Sequence, residues 1–136
     1  MVGPDDPLET PHGGAQTRLQ AVVAGGTPTD LSKFEGGRLV PQFLGATLQE
    51  NPARFALASP VTHVDPDDPP TFLYHGSWDG LVPIDHARDM KTALDGAGVP
   101  AELYTVNGLG HLPLFVFNRS SIVAGIDFLD RVLRAE

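Results

Sequence analysis

Three short apolar runs, each closed by glycine or polar residues, limit what this chain can fold into. Leu19–Gly26, Thr71–Gly76 and Ala101–Val106 each have the length of a β-strand, and segments with helical spacing separate them. The first run is almost continuously apolar, as in a strand covered on both faces. This alternation predicts right-handed βαβ units and an α/β fold of three layers, with a short, mostly parallel sheet of about three strands between flanking helices.

Helix start and stop signals occur between and after these runs. Residues 83–98 begin with proline and end at two glycines, which predicts a helix there. Residues 40–60 show two short helical patterns around a break before Pro52. Residues 120–136 form an amphipathic pattern, with four aliphatic side chains predicted to face the core: Ile122, Ile126, Leu129 and Leu133.

The rest of the chain is predicted to be loop. Residues 1–17 are polar and rich in proline and glycine, and we expect a flexible or loop-like N-terminal segment. Residues 27–39 and the apolar stretch 112–118 are also predicted loops. Residues 18–136 are therefore expected to form a single domain, a size that suffices to bury a hydrophobic core.

Composition and charge exclude several classes of function. The 136 residues carry a formal net charge of -8, which argues against nucleic acid or an anionic membrane as the main partner. Cysteine is absent, so disulfides, thiol nucleophiles and Cys-ligated metals are excluded. No stretch approaches the ~18 apolar residues of a membrane span, and the N-terminus lacks the regions of a signal peptide. We expect a cytoplasmic protein without a cofactor.

Asp79 and His111 each follow a predicted strand. Asp79 lies in "HGSWDGLVP" after the second strand, and His111 ends "GLGH" after the third. Because ligands of parallel sheets sit beyond the carboxyl ends of the strands, the two side chains are expected to share one site. A carboxylate beside an imidazole orients the ring and stabilises its protonated form. Alternatively, Asp79 caps the following helix and His111 is a partly buried polar residue.

The segment around both residues resembles the C-terminal part of α/β-hydrolases of the esterase/lipase and peptidase-like group. The resemblance is carried by "ASPVTHVDPDDPPTFLYHGSWDGLVPIDHARDMKTALDGAGVPAELYTVNGLGH" and by "AVVAGGTPTDL" at Ala21–Leu31, which is similar to the strand and loop that follow the nucleophile helix. It spans about residue 18 to the end. It implies that Asp79 is the triad acid and His111 the triad base.

The nucleophile of such a triad is missing from the sequence. Serine normally lies in a G-x-S-x-G elbow, and the 136 residues contain no such motif. In the resembled family the elbow precedes the "AVVAGG" strand, so we expect it before residue 1. Three alternatives stay open here: Ser77, which otherwise bonds the turn backbone; a water activated by Asp79 and His111; and Asp79 itself as a nucleophile.

Neighbouring residues are candidates for substrate binding. Trp78 lines an acyl pocket or packs its loop, and His75 lies at the end of a strand close to Asp79. Leu112 is the first residue of an apolar stretch that follows His111. A cluster of His75, Asp79 and His111 is an alternative metal site. No histidine pair has the spacing of H-E-x-x-H, so we predict no metal.

These observations predict a hydrolase of the α/β-hydrolase type. We expect weak hydrolysis of small carboxylic esters by an Asp79–His111 acid/base pair, with Ser77 or water as nucleophile. The alternatives are an inactive oligomeric binding or scaffold module, or a gene remnant, and a metal-assisted hydrolase. A sheet edge and apolar surface left unpaired favour association, so we also predict a homodimer or higher homo-oligomer that completes the fold.

Overall fold

The computed structural model describes residues 18–34 and 36–134, so the expectation for residues 1–17 lies outside the described part. The strands are β1 (Val22–Gly25), β2 (Thr71–Gly76) and β3 (Ala101–Val106). The α-helices are α1 (Leu39–Leu44), α2 (Pro52–Ala58), α3 (Asp85–Gly96), α4 (His111–Val116) and α5 (Arg119–Leu133), and short 3-10 turns occupy Leu31–Phe34 and Pro60–His63. No helix of the described residues is both long enough and apolar enough to cross a membrane.

The three strands form one parallel sheet in the order β1-β2-β3. Thr71 aligns with Val22 on one side and with Ala101 on the other, so β2 is the central strand. Five of the six β2 residues are buried, as expected of a central strand covered on both faces. The predicted α/β architecture is confirmed, and β2 and β3 have the predicted bounds.

Helices cover both faces of the sheet. Phe72 packs against Phe128 of α5, with ring centroids 5.7 Å apart. Leu73, the next residue of β2, lines an apolar cavity together with Met90 and Leu94 of α3. Because successive residues of a strand point to opposite faces, α3 and α5 lie on opposite sides of the sheet. The result is the predicted three-layer arrangement.

The predicted loop at 112–118 is wrong, because most of it belongs to α4. The backbone N–H of Leu114 bonds the Gly110 carbonyl, and that of Phe117 bonds the Pro113 carbonyl. Pro113 lies in the first helical turn, where its missing N–H costs no helical bond. The burial of Leu114 holds this short helix against the rest of the domain.

The predicted core face of α5 is also wrong in part. Ile122, Ile126 and Leu133 are exposed, and the buried residues of this helix are Ser121, Gly125 and Phe128. A Cβ built on Gly125 would lie 3.4 Å from Val23 and 3.5 Å from Phe72. The helix therefore approaches the sheet through its small residues, a contact that an amphipathic pattern does not reveal.

Candidate active site

Asp79 is held in place by the turn that follows β2. Its Oδ1 accepts hydrogen bonds from the backbone N–H groups of Leu81 (3.0 Å) and Val82 (2.8 Å). The side chain is buried. It does not cap α3, whose N-cap is Ile84 without a side-chain cap bond. The helix-capping alternative is therefore wrong, and Asp79 instead organises its own loop and leaves Oδ2 free for another partner.

That partner is His111, the first residue of α4. Its Nδ1 lies 2.7 Å from Asp79 Oδ2, and its side chain is about one-fifth exposed. Because an ionised carboxylate only accepts, the ring nitrogen donates its N–H, and Nε2 is left as the unprotonated nitrogen of the neutral ring. The structure thus brings together the two residues that strand-end placement predicted to meet.

Two further residues fix the His111 ring. The edge of Phe115, one helical turn on, faces the imidazole with ring centroids 5.3 Å apart. Gly26 directly follows β1 and has φ +59, and a Cβ built there would lie 3.2 Å from His111 Cε1. This left-handed backbone favours glycine, and the open Cα lets the ring rest against the chain.

The loops after β2 and β3 are joined backbone to backbone. A Cβ on Gly76 would lie 2.2 Å from the Leu109 carbonyl oxygen, so only glycine allows this approach. The backbone N–H of Trp78 then donates to the same carbonyl at 3.0 Å. This contact explains the glycine of "HG" as a geometric requirement. It sets the spacing between the Asp79 loop and the His111 loop.

Ser77 takes part in the same junction. Its Oγ accepts a hydrogen bond of 2.9 Å from the backbone N–H of Gly108. No hydrogen bond joins Ser77 to Asp79 or His111 within residues 18–34 and 36–134. The hydroxyl thus ties the two loops together, as expected of a turn residue, and its role as nucleophile stays a prediction.

The three predicted substrate-binding residues differ in exposure. Trp78 is 77% exposed and Leu112 is 74% exposed, so both flank the Asp79–His111 pair from the solvent side. His75 is 0% exposed. The structure therefore does not place His75 where a substrate reaches it, because β2 is central and its last residues are enclosed by both neighbouring loops.

A cleft lies beside the Asp79 loop, between it and the 3-10 turn that follows β1. Its volume is about 580 Å³, and its walls include Phe34, Gly80, Leu81 and Pro83. A separate cavity of about 350 Å³ on the α3 face is lined by Leu73, Met90 and Leu94 among others, and neither Asp79 nor His111 lines it. The 580 Å³ cleft is lined by Gly80 and Leu81, which directly follow Asp79 in the chain, but neither Asp79 nor His111 forms part of its walls.

Charged groups brace the wall of this cleft. Lys33 Nζ bonds Asp85 at 2.7 Å and also bonds Asp89. Desolvation acts to lower the pKa of Lys33, but these hydrogen bonds outweigh it and raise the pKa. The same bond lowers the pKa of Asp85. The pairs join the turn after β1 to the start of α3, and so hold the two sides of the cleft together.

No metal centre is found in the part of the chain that the structure describes. A search of those residues gives no group of three or more His, Cys, Asp or Glu side chains able to hold a metal ion. His75, Asp79 and His111 do lie together, but both rings face the same oxygen, Asp79 Oδ2, at 3.4 Å and 2.7 Å. This arrangement suits hydrogen bonding between the groups.

Sequence reasoning missed the residues that position the pair. Gly26, Gly76 and Val82 contribute through backbone geometry, and their role depends on what lies across the loop junction. The glycines in "HG" and "AGG" were the available signal. Glycine in or beside a strand often marks a place where another backbone segment approaches closely.

A parallel sheet with an Asp–His pair at its carboxyl edge defines a fold of the α/β-hydrolase type. Residues 5–94 match the BD-FAE family over more than half of the chain, and the protein belongs to that family. A curated relative, esterase LipQ of Mycobacterium tuberculosis, is 36% identical over 84 residues, which are 59% of this chain and 20% of LipQ.

Solved esterase structures share the fold. A truncated form of a carbohydrate esterase from gut microbiota superposes with a TM-score of 0.71 at 26% identity, over 84% of this chain and 42% of that one. An acetyl ester-xyloside bifunctional hydrolase from Caldicellulosiruptor lactoaceticus gives 0.73 at 25% identity, over 85% and 43%. The chain thus spans about a fifth of LipQ and less than half of these structures. These relatives are an esterase, a carbohydrate esterase and a bifunctional ester hydrolase by name.

Proposed function

We propose that this chain takes part in the hydrolysis of small carboxylic esters, with Asp79 and His111 as the acid/base pair. The observation that carries the proposal is the 2.7 Å contact between His111 Nδ1 and the buried Asp79 Oδ2. The pair lies at the carboxyl edge of a parallel sheet, where such folds place their ligands. The esterase relatives support this reaction class.

His111 is the proton carrier of the proposed reaction. Asp79 fixes the tautomer in which Nδ1 holds the proton, so Nε2 accepts a proton from the attacking hydroxyl or water. The buried carboxylate then stabilises the resulting imidazolium. The same nitrogen returns the proton to the leaving alkoxide, which completes the acid and base roles with one side chain.

We assign the attacking group to a water or a hydroxyl brought to the solvent-facing side of His111. The Ser77 hydroxyl is the candidate within the described residues, since its bond to Gly108 uses an oxygen lone pair and leaves the O–H proton available. The lack of a bond to His111 favours water over Ser77. The cleft walled by Gly80 and Leu81 provides room for one side of the ester.

The test compares initial rates on a nitrophenyl acetate above the buffer blank. His111→Ala removes the proton carrier, and a loss of about 10²–10⁴-fold in kcat/KM is expected from the usual contribution of general acid–base catalysis. Ser77→Ala is the matched control: a small loss supports water, and a loss equal to that of His111→Ala in a variant of unchanged thermal stability supports Ser77 as the nucleophile. Equal rates for wild type and His111→Ala would contradict the proposed pair.

A second candidate function is an inactive, self-associating scaffold. One surface feature favours it: α4, α5 and the linker between them expose many large apolar side chains, namely Leu112, Phe115, Val116, Phe117, Ile122, Val123 and Ile126. Apolar patches of this kind mark interaction surfaces. This candidate predicts no ester turnover by the wild type together with a dimeric or larger mass in light scattering, whereas a monodisperse monomer contradicts it.

A further inference from the structure

His75 occupies an unusual place next to the Asp79–His111 pair. It lies in the central strand β2, aligned with Thr105 of β3, and is fully buried. Its Nε2 lies 2.7 Å from the carbonyl oxygen of Val82 and 3.4 Å from Asp79 Oδ2. A substrate therefore does not reach this ring, yet the ring touches the carboxylate that holds His111.

The contact with Val82 fixes the protonation of the ring. A carbonyl oxygen only accepts, so Nε2 carries the proton and donates it. The other nitrogen, Nδ1, is buried and has no hydrogen-bond partner. A proton on Nδ1 would be a buried donor without an acceptor, which is more costly than a bare lone pair. The geometry thus places the ring proton of His75 on Nε2.

Val82 links His75 to Asp79 through its own backbone. Its N–H donates to Asp79 Oδ1 at 2.8 Å, and its carbonyl accepts from His75 at 2.7 Å. The ring of His75 therefore anchors the turn to the rigid strand, while its Nε2 lies against the same carboxylate oxygen that His111 binds. Both oxygens of Asp79 are positioned in this way, Oδ1 by the turn and Oδ2 between two rings.

From this geometry we infer that His75 is a positioning residue that aims Asp79 Oδ2 at His111. It acts through Val82 and Asp79, and it makes no contact with substrate. The inference deepens the proposed function, and its kinetic consequence rests on that function. The hydrogen bond between His111 and Asp79 can be observed independently of turnover.

The first measurement is NMR of the protein labelled with ¹⁵N at histidine. The wild type is expected to show His75 protonated on Nε2 alone. It is also expected to show the strongly downfield proton of His111 Nδ1–H, held by a carboxylate. A His75 ring protonated on Nδ1 instead would overturn the inference without any variant, since such a neutral ring cannot donate to Val82.

The second measurement compares two variants of His75. His75→Gln keeps an amide N–H near the position of Nε2, and His75→Leu removes the donor. The downfield His111 signal is expected to persist in His75→Gln and to vanish in His75→Leu. A folded His75→Leu protein that keeps this signal would overturn the inference.

His86→Leu tests whether replacing any buried histidine, and not His75 alone, disturbs the contact between His111 and Asp79. His86 is also buried, but its Nδ1 accepts from the backbone N–H of Asp30 and its ring stacks on Phe34. Its replacement is expected to leave the His111 signal in place. Loss of the signal in His86→Leu as well would show that any buried change disturbs the pair, and would overturn a specific role for His75.

Kinetics then separate this inference from the proposed function. In an active wild type, His75→Leu is expected to lower kcat by about 10²-fold with little change in KM, as for a small misplacement of a catalytic group, and His75→Gln to restore most of the rate. An inactive wild type with the NMR pattern intact would sink the proposed function while leaving the positioning role supported. If the wild type is active and His75→Leu has the same kcat, the positioning role alone is contradicted.

Discussion

The inner and outer faces of α4 and α5 both carry large apolar residues, but the two faces differ in burial. Beneath β2, Phe128 and Leu114 are almost completely buried, and the neighbouring loops meet backbone to backbone. On the outer surface of the same helices and of the linker between them, Ile122, Ile126 and Phe117 are about half exposed or more. The inner region is packed like a protein core. The outer surface carries similar apolar side chains, but they are exposed.

This difference teaches that amphipathic spacing and burial are separate properties. α5 has a clear apolar face, but the residues that touch the sheet are Gly125 and Phe128 rather than the isoleucines. A helix approaches a sheet closely where its residues are small, so steric fit selects the contact. The isoleucines on the remaining surface are exposed, and the homo-oligomer stays a prediction.

The strongest test of this contrast compares Phe128→Ala with Ile126→Ala on the same helix. Phe128→Ala leaves a cavity against Phe72 and is expected to lower the free energy of unfolding by about 3–5 kcal/mol. Ile126→Ala is expected to change it by no more than about 0.5 kcal/mol, as for a surface site. Urea unfolding at low protein concentration measures both.

A large loss in Ile126→Ala would break the contrast, since it would show that the outer surface is covered in solution. Repeating the unfolding at several protein concentrations then tells which contact covers it. A loss that grows with concentration identifies association between copies of the chain, because an oligomer is stabilised by mass action.

A second pair of variants compares two close approaches, Gly76→Ala and Gly125→Ala. A Cβ on Gly76 would meet the Leu109 carbonyl at 2.2 Å, whereas one on Gly125 would meet side chains at 3.4 Å or more. Gly76→Ala is expected to destabilise by about 1–3 kcal/mol through overpacking. Gly125→Ala is expected to stabilise by about 0.4–1 kcal/mol, since alanine restricts the unfolded chain and suits a helix.

Thermal unfolding followed by circular dichroism measures both changes, with the wild type as reference. Gly76→Ala also widens the junction between the Asp79 and His111 loops, so ester turnover should fall together with stability. A stable and fully active Gly76→Ala protein would refute the proposed role of the glycine in spacing the two loops.

The smallest expected effect concerns pH and His86. Burial, with the nearby charge of Lys33, lowers the pKa of His86 below its ordinary value of about 6.5. The unfolded chain therefore binds more protons than the folded one as the pH falls below about 6.5. His86 thus lowers the free energy of unfolding in that range, down to its folded pKa.

Urea unfolding at pH 8 and at pH 5.5 checks this prediction. His86→Gln removes the titrating group, so the loss of stability between the two pH values should be smaller than in the wild type. An equal loss in both proteins would show that other groups account for the acid sensitivity.

Much of the fold could be predicted from the sequence where the local pattern and the tertiary environment agree. Thr71–Gly76 reads as a buried strand and is one, because its neighbours on both sides and both faces are supplied by the chain itself. Residues 112–118 read as an apolar loop, but most of them belong to helix α4, because Leu114 is buried in a position that no short-range pattern shows. The sequence shows the spacing of apolar residues along a helix or strand, but only the packed structure shows which of them are buried.

The candidate site could likewise be predicted from the sequence only in part. Asp79 and His111 were predicted to meet because parallel strands bring their carboxyl ends to one edge, and they do meet. The enclosure of His75 was not predicted, since burial of a strand end depends on loops that follow residues far along the chain. The positions of Trp78 and Leu112 on the solvent side likewise became clear only from the structure.

The bonds that hold Asp79 close chain segments of very different length. Those to Leu81 and Val82 span two and three residues, whereas that to His111 spans 32. The carboxylate is consequently set by a turn that can form early in folding, and the imidazole reaches it only once the crossover through α3 is complete. The contact between Asp79 and His111 therefore depends on closing a loop about ten times longer than the turn that holds the Asp79 carboxylate.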